Sequence, residues 1–368
     1  MDADPDASAA GNAGLGPVSV VVVNWNGAAY LEACLSAVRA LSGQVGEVIL
    51  VDNASTDDSL ALVRERFPEV RVLALPVNAG PCPARNAGMR AARQRYVLAL
   101  DNDAVVRPDV LEKLARAAAA DASIAIAQPR SVFAAEPSRV HYDGGAFHYA
   151  GLIALRNFYA PLERARGAGT LDVDCAVAVA LLVDRDRLLG LGGYDESMFI
   201  LFEDLDLSYR LRACGARIVS VEDALVDHQG GTPGLSFREG PSYPGSRVFQ
   251  HSRNRWTFLA KCYRRRTLLV ALPGIALYEA AWLAFAVLQG HAGDWWRGKR
   301  AFLRDGARRR ADRARFQAAR VVPDRELLVG GPLTITPALK ASGARALCDA
   351  LLSAALRAWW ALARHLAA

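Results

Sequence analysis

Four short aliphatic runs alternate with segments of helical spacing over residues 18–100 of this 368-residue chain, and few folds accommodate that order. Val18–Val23, Glu47–Val51, Val70–Leu75 and Tyr96–Leu100 read as buried strands. Between them, Ala28–Leu41 places Tyr30, Leu31, Cys34, Leu35 and Val38 on one helical face, and Ser59–Phe67 and Ala84–Arg95 also read as helices. Ser55 or Thr56 is the expected N-cap of the second helix, with Asp57 and Asp58 in its first turn. Strand–helix alternation predicts an α/β fold with a mostly parallel sheet and helices on both faces. Farther on, Pro108–Ala120 reads as a helix, 123–170 as short strands and Gly-rich loops, Val173–Val183 as a strand, and Glu203–Cys214 as a helix closed by Gly215. From about residue 250 the chain reads as helical, ending in an amphipathic Arg345–Leu366.

That pattern divides the chain into a disordered tail (1–16), an α/β catalytic domain (17–260) and a basic helical region (261–368). The acidic start lacks an apolar h-region, so no signal peptide is expected. Six cysteines without a C-x-x-C pair fit a reducing compartment better than a disulfide framework or a zinc site. The net charge of +6 is uneven. Arg264-Arg265-Arg266 precedes the apolar stretch Leu268–Leu288, interrupted by Glu279 and Pro273-Gly274, and a second basic run spans Arg297 to Arg315. These arginines lack the interleaved aromatics of a nucleic-acid binder. Basic residues on both sides of an apolar segment fit the cytoplasmic membrane surface, and they favour peripheral attachment over crossing.

Polar residues arrive where the strands end: Asn24-Trp25-Asn26-Gly27 after the first, Asp52-Asn53 after the second, Asp101-Asn102-Asp103 after the fourth. Ligands of open α/β sheets gather at the carboxyl ends of strands. Two carboxylates one residue apart suit Mg²⁺ or Mn²⁺, which in turn suits a diphosphate. Together with Ala84-Arg85-Asn86-Ala87-Gly88, Leu191-Gly192-Gly193-Tyr194-Asp195-Glu196 and Phe202-Glu203-Asp204-Leu205-Asp206, these motifs resemble family 2 glycosyltransferases of GT-A fold over about residues 17–260. The closest likeness within the family is to the bacterial rhamnosyl- and galactofuranosyl-transferase-like branch.

The resemblance implies an inverting transfer from a UDP- or dTDP-sugar donor to a glycan or lipid-linked acceptor in surface polysaccharide synthesis. It implies that Asp52 accepts a hydrogen bond from the pyrimidine and that Asn24 and Asn26 border the base or ribose. Arg85 would approach the diphosphate, although a solvated helix-face arginine is an equal reading. Asp101, Asn102 and Asp103 would hold the donor and its metal, Asp103 directly and Asp101 toward the ribose. His228, 24 residues after Asp204, would complete the metal site. Asp204 would be the general base and Glu203 would help hold the acceptor. Arg253, Asn254 and Arg255 would reach a phosphate or simply carry helix-surface charge. The alternatives are a nucleotidyltransferase, disfavoured because no Gly-rich loop with a following Lys succeeds the first strand, and an inactive sugar-nucleotide-binding subunit.

Overall fold

A computed structural model describes residues 15–165, 169–230, 243–334 and 344–368. The expectation for the tail falls almost wholly on 1–14, outside the described residues. The first half alternates as the spacing predicts: β1 (Val18–Asn24), α1 (Ala28–Arg39), β2 (Val45–Asp52), α2 (Ser59–Arg66), β3 (Arg71–Ala74), α3 (Pro81–Ala91) and β4 (Tyr96–Asp101). The short β5 (Ala104–Val106), α4 (Val110–Ala120), β6 (Ile124–Phe133), β7 (Glu136–Tyr142), β8 (Gly145–His148) and β9 (Leu152–Leu155) follow. Then come β10 (Thr170–Val173), β11 (Ala180–Asp184), α5 (Arg185–Gly190), α6 (Glu203–Ala213) and β12 (Arg217–His228). The predicted strand 173–183 is thus two strands, β10 and β11, in different places of one sheet.

The main sheet runs β10-β12-β6-β11-β4-β1-β2-β3. Strands β1, β2, β3 and β4 pair in parallel; β11 is antiparallel to both β4 and β6, so β6 and its parallel partner β12 point the same way as β4. A second sheet joins β8 and β9 to the two-residue β13 (Leu328–Val329). Side chains alternate across the main sheet as strand geometry requires. Val20, Val22, Leu50, Leu98 and Leu100 pack with α1, α2 and α4, whereas Val21, Ile49, Val51, Val97 and Ala99 pack with α3 and α6. Burial on both faces explains why these strands read as continuous apolar runs.

The helical region comprises α7 (Gly245–Cys262), α8 (Arg265–Leu288), α9 (Ala292–Arg304), α10 (Gly306–Ala319), α11 (Asp324–Leu327) and α12 (Ala344–Ala363). It covers the α3–α6 side and adds Phe258, Ile275, Phe316 and Trp360 to that core. Two expectations are corrected here. Pro273-Gly274 does not break α8, which is one continuous helix of 24 residues. Pro273 lies on its exposed side, and Gly274 lets the Tyr149 ring pack against the backbone. Nor do Ser55 and Thr56 cap α2; Asp57 takes the Ser59 N–H at 3.1 Å and, with its other oxygen, the Ala28 N–H at 3.0 Å, tying the starts of α1 and α2 together.

Candidate active site

The carboxyl ends of β1, β2 and β4 open into a cleft of about 620 Å³, closed on the far side by β7, β9 and the start of α6. Its floor on the β1–β2 side is a polar lattice. Asn24 and Asp52 are paired in register across the strands, and the Asn24 amide donates to Asp52 Oδ1 at 2.9 Å. Asp52 Oδ2 takes the Ser55 N–H at 3.0 Å, and Asn102 donates to Asn24 Oδ1 at 2.7 Å. Asp52, only 1 % exposed, therefore lies beneath the floor, while Asn26, Asn53 and Asn102 line it. Asn26 sits in the left-handed region at φ 49° and accepts the Thr56 N–H at 2.7 Å, which turns the loop toward the cleft. Asn53, the next residue after β2, lines the cleft. Its amide bridges Asn78 and Gly80, while its buried Oδ1 has no partner among the described residues.

Arg85 is buried at the centre. It donates to Asp101 Oδ1 at 2.8 Å, lies 3.6 Å from Glu203, and stacks over Tyr194. Of the two readings offered by the sequence, the solvated helix-face arginine is thus excluded. The next residue explains the neighbouring motif: Asn86 takes the Tyr194 N–H at 2.8 Å and donates to the Tyr194 carbonyl at 2.9 Å. Gly193, at φ 68°, has no room for a side chain, because a Cβ would fall 2.4 Å from Asn86 Oδ1. The Ala84–Gly88 and Leu191–Glu196 segments are therefore two halves of one clamp.

Antiparallel pairing of β12 with β5 sets His228 opposite Ala104, beside Asp103. His228 Nε2 stands 3.1 Å from Asp103 Oδ2, and its Nδ1 lies 2.8 Å from Nδ1 of His141. That 3.1 Å is the distance of a His–Asp ion pair, and it is also close to the ~3.0 Å between adjacent ligands of an octahedral cation, so the two side chains could share a divalent ion. Asp101 faces Arg85 instead, and among the described residues no three His, Cys, Asp or Glu side chains converge on one point. The remaining positions would fall to phosphate oxygens and water, as is usual for Mg²⁺. His141 carried no signal in the sequence. It reaches His228 only because β7 folds back on β6, which in turn lies beside β12. The His141 contact orients the His228 ring with Nε2 toward Asp103.

Glu203 and Asp204 open α6 after two consecutive left-handed residues, Leu201 at φ 70° and Phe202 at φ 73°. Non-glycine residues there store strain, so neighbours must hold them. Asn254 of α7 does so by donating to the Ile200 and Leu201 carbonyls at 3.0 and 2.9 Å. Asp204 Oδ2 takes the Ala178 N–H at 3.0 Å, whereas its buried Oδ1 has no partner among the described residues at the cleft wall. Burial and the adjacent Asp204 charge push Glu203 up to about 8, Arg85 opposing them. Burial, with the Asp101 charge, raises Asp204 as well, and Arg85 and the Ala178 N–H oppose it only in part. Two buried carboxyls this close resist ionising together, so both are pushed up and Glu203 is the one pushed to about 8.

The expectation that Arg253, Asn254 and Arg255 reach a phosphate is corrected. Arg253 donates to the Ser197 carbonyl at 2.6 Å and pairs with Asp305, Asn254 holds the α6 entry, and Arg255 is buried against Glu279 at 2.7 Å. Glu279 also takes the indole N–H groups of Trp256 and Trp295 and pairs with Lys299, so the one acid within α8 is an internal hub.

Residues 19–179 match the profile of the family described as Glycosyl transferase family 2. The chain is 43% identical over 111 residues to the succinoglycan biosynthesis protein ExoO of Rhizobium meliloti, covering 30% of this chain and 32% of that protein. It is 30% identical over 216 residues to the pre-mycofactocin glycosyltransferase of Mycobacterium tuberculosis, covering 57% and 42% respectively. Over 99 residues it is 35% identical to the putative teichuronic acid biosynthesis glycosyltransferase TuaG of Bacillus subtilis, covering 26% and 39%. The matched segments thus span between 32% and 42% of these relatives' lengths. Among solved structures, GalNAc-T7 crystallised with UDP, GalNAc and Mn²⁺ superposes with a TM-score of 0.59 at 17% identity, covering 80% of this chain and 58% of that one, a likeness of fold. The matched segment carries β1 to β4, Arg85 and the Asp101–Asp103 turn on a sheet of GT-A type, and over residues 19–179 the chain is similar to glycosyltransferase family 2.

Proposed function

We propose that this chain transfers a sugar, with inversion, from a UDP- or dTDP-sugar to a hydroxyl of a glycan or lipid-linked acceptor at the cytoplasmic membrane surface, in synthesis of a cell-surface polysaccharide. The observation that carries the reading is the unpartnered, buried Oδ1 of Asp204, which lines the same cleft as Arg85, Asp101 and Asp103. A carboxylate oxygen so placed takes the proton of the acceptor hydroxyl as that oxygen attacks the anomeric carbon. Glu203, protonated beside it, donates to the acceptor rather than competing for its proton. Asn26, Asn53 and Asn102 border the nucleoside, above Asn24 and Asp52, which brace the strand ends. Asp103 and His228 hold a divalent cation, Mg²⁺ or Mn²⁺, which neutralises charge on the departing nucleoside diphosphate when bound. The names of the ExoO and TuaG relatives, in succinoglycan and teichuronic acid synthesis, support the polysaccharide assignment.

A panel of UDP- and dTDP-sugars, read by thermal shift with and without Mn²⁺, tests the donor and the metal together. One donor is expected to raise the melting temperature only with metal, and His228→Ala to remove that dependence. If no nucleotide-sugar stabilises the protein under either condition, the reading is wrong.

A further inference from the structure

Helix α8 presents two chemically distinct sides. Its inward side carries Ala271, Gly274, Ile275, Glu279 and Trp282 against the catalytic domain. Its outward side carries Leu269 (72% exposed), Leu272, Leu277, Val287 and Leu288 (75% exposed). From Thr267 to Leu288 the single charged residue is Glu279, which is turned inward, so the outward side is apolar over ~30 Å of helix. Water-facing sides of soluble helices are normally polar, and contiguous exposed apolar surface marks an interaction site.

Helix α12 extends this surface. Its carboxyl end meets the start of α8, where the Ala368 N–H donates to Thr267 Oγ1 at 3.2 Å. Farther along, the Trp359 indole donates to the Val270 carbonyl at 3.0 Å, and the Leu356 carbonyl takes the hydroxyl of Tyr149, the ring packed on Gly274. The two helices therefore run antiparallel, and α12 adds exposed Leu347, Leu351 and Leu362. At the end where they meet, exposed Arg265 and Arg266 of α8 and exposed Arg364 after α12 form a basic rim. We propose that the α8–α12 pair is a monotopic docking face for an anionic lipid bilayer, lying in the interface with its leucines among the acyl chains and its arginines at the headgroups. Crossing is disfavoured because the inward side of α8 is committed to Arg255, Tyr149 and Trp282 contacts within the protein. The chain before α12 also reaches the cleft: Thr334, a lining residue, accepts the Leu155 N–H at 2.7 Å. This assignment deepens the membrane-surface reading above, but its test is independent of transfer.

The full chain is floated with vesicles of phosphatidylcholine alone and with phosphatidylglycerol added. Co-flotation is expected with the anionic vesicles, weakening as salt rises. Leu269→Glu/Leu277→Glu/Leu362→Glu is expected to lower vesicle binding by at least ~10-fold, at unchanged circular dichroism and unchanged nucleotide-dependent thermal shift. Arg265→Glu/Arg266→Glu is expected to abolish the anionic preference. The proposal is overturned if the wild type stays with neither vesicle, or if the leucine variant floats as well as the wild type. It is equally overturned if the leucine substitutions convert a dimer to a monomer on sedimentation without changing vesicle binding, since the face would then join two copies. Loss of the nucleotide response in the wild type would instead strike the catalytic reading and leave vesicle binding standing.

Discussion

Arg85 donates to Asp101 across 2.8 Å and has its second nitrogen 3.6 Å from Glu203, so one buried cation links the turn after β4 to the start of α6. The donor side and the acceptor side of the cleft meet at this guanidinium. Its Nη1 lacks a hydrogen-bond partner among the described residues, which leaves a charged donor at the cleft wall.

Arg85→Met should destabilise the protein by ~3 kcal/mol, because two acids lose the buried charge opposite them. Arg85→Lys should recover part of that stability but little donor affinity, since a single ammonium cannot span both carboxylates. Chemical denaturation and nucleotide binding measured on both variants check this. A Met variant as stable as the wild type would show that the bridge contributes nothing.

Asp204→Asn should lower kcat by ~10²–10⁴-fold with donor affinity within about twofold. The amide oxygen can still accept the Ala178 N–H, so the wall of the cleft keeps its shape. Initial rates and donor titration separate the two quantities. Undiminished kcat would remove Asp204 from the chemistry.

The alternation of β1 to β4 with three helices was legible because both faces of those strands are buried and nothing nonlocal is needed to see an aliphatic run. The placement of the acid pair at the start of α6 was legible too, since a helix start is a local feature. His141 was not. It becomes part of the site through two successive strand pairings, β7 on β6 and β6 beside β12, and no local pattern encodes either. The same holds for Asn254, whose contacts to residues 200 and 201 cross from α7 to the α6 entry. Arginines 253 and 255 looked like phosphate ligands because sequence shows charge but not the acid or carbonyl opposite it. The apolar run of α8 likewise concealed which side Glu279 faces.

Asn254→Ala should lower kcat by at least ~10-fold while KM for the donor stays within about twofold. Its two donations hold the carbonyls at the left-handed Leu201–Phe202 entry to α6, and small displacements of a catalytic group cost ~10²-fold in rate. Asn254→Asp, which loses the donors but keeps the shape, should behave like Ala. If both variants lose stability and leave kcat unchanged, Asn254 is merely structural.

Acid should weaken the fold through His148. Its Nδ1 accepts the Ala150 N–H at 3.1 Å, so that nitrogen carries no proton, and burial beside Arg255 pushes the ring down from 6.5 to about 4. Between these values the unfolded chain binds a proton that the folded chain refuses. Stability is therefore full above about pH 6.5 and falls as pH drops toward 4, by ~3 kcal/mol in all. His148→Asn keeps an acceptor for the Ala150 N–H without a titrating ring, so it should be less stable at neutral pH but flatter between pH 7 and 4.5. Urea midpoints across that range provide the comparison, in which carboxylates common to both proteins cancel. Parallel curves for wild type and variant would mean that His148 takes up its proton in the fold as readily as in the unfolded chain.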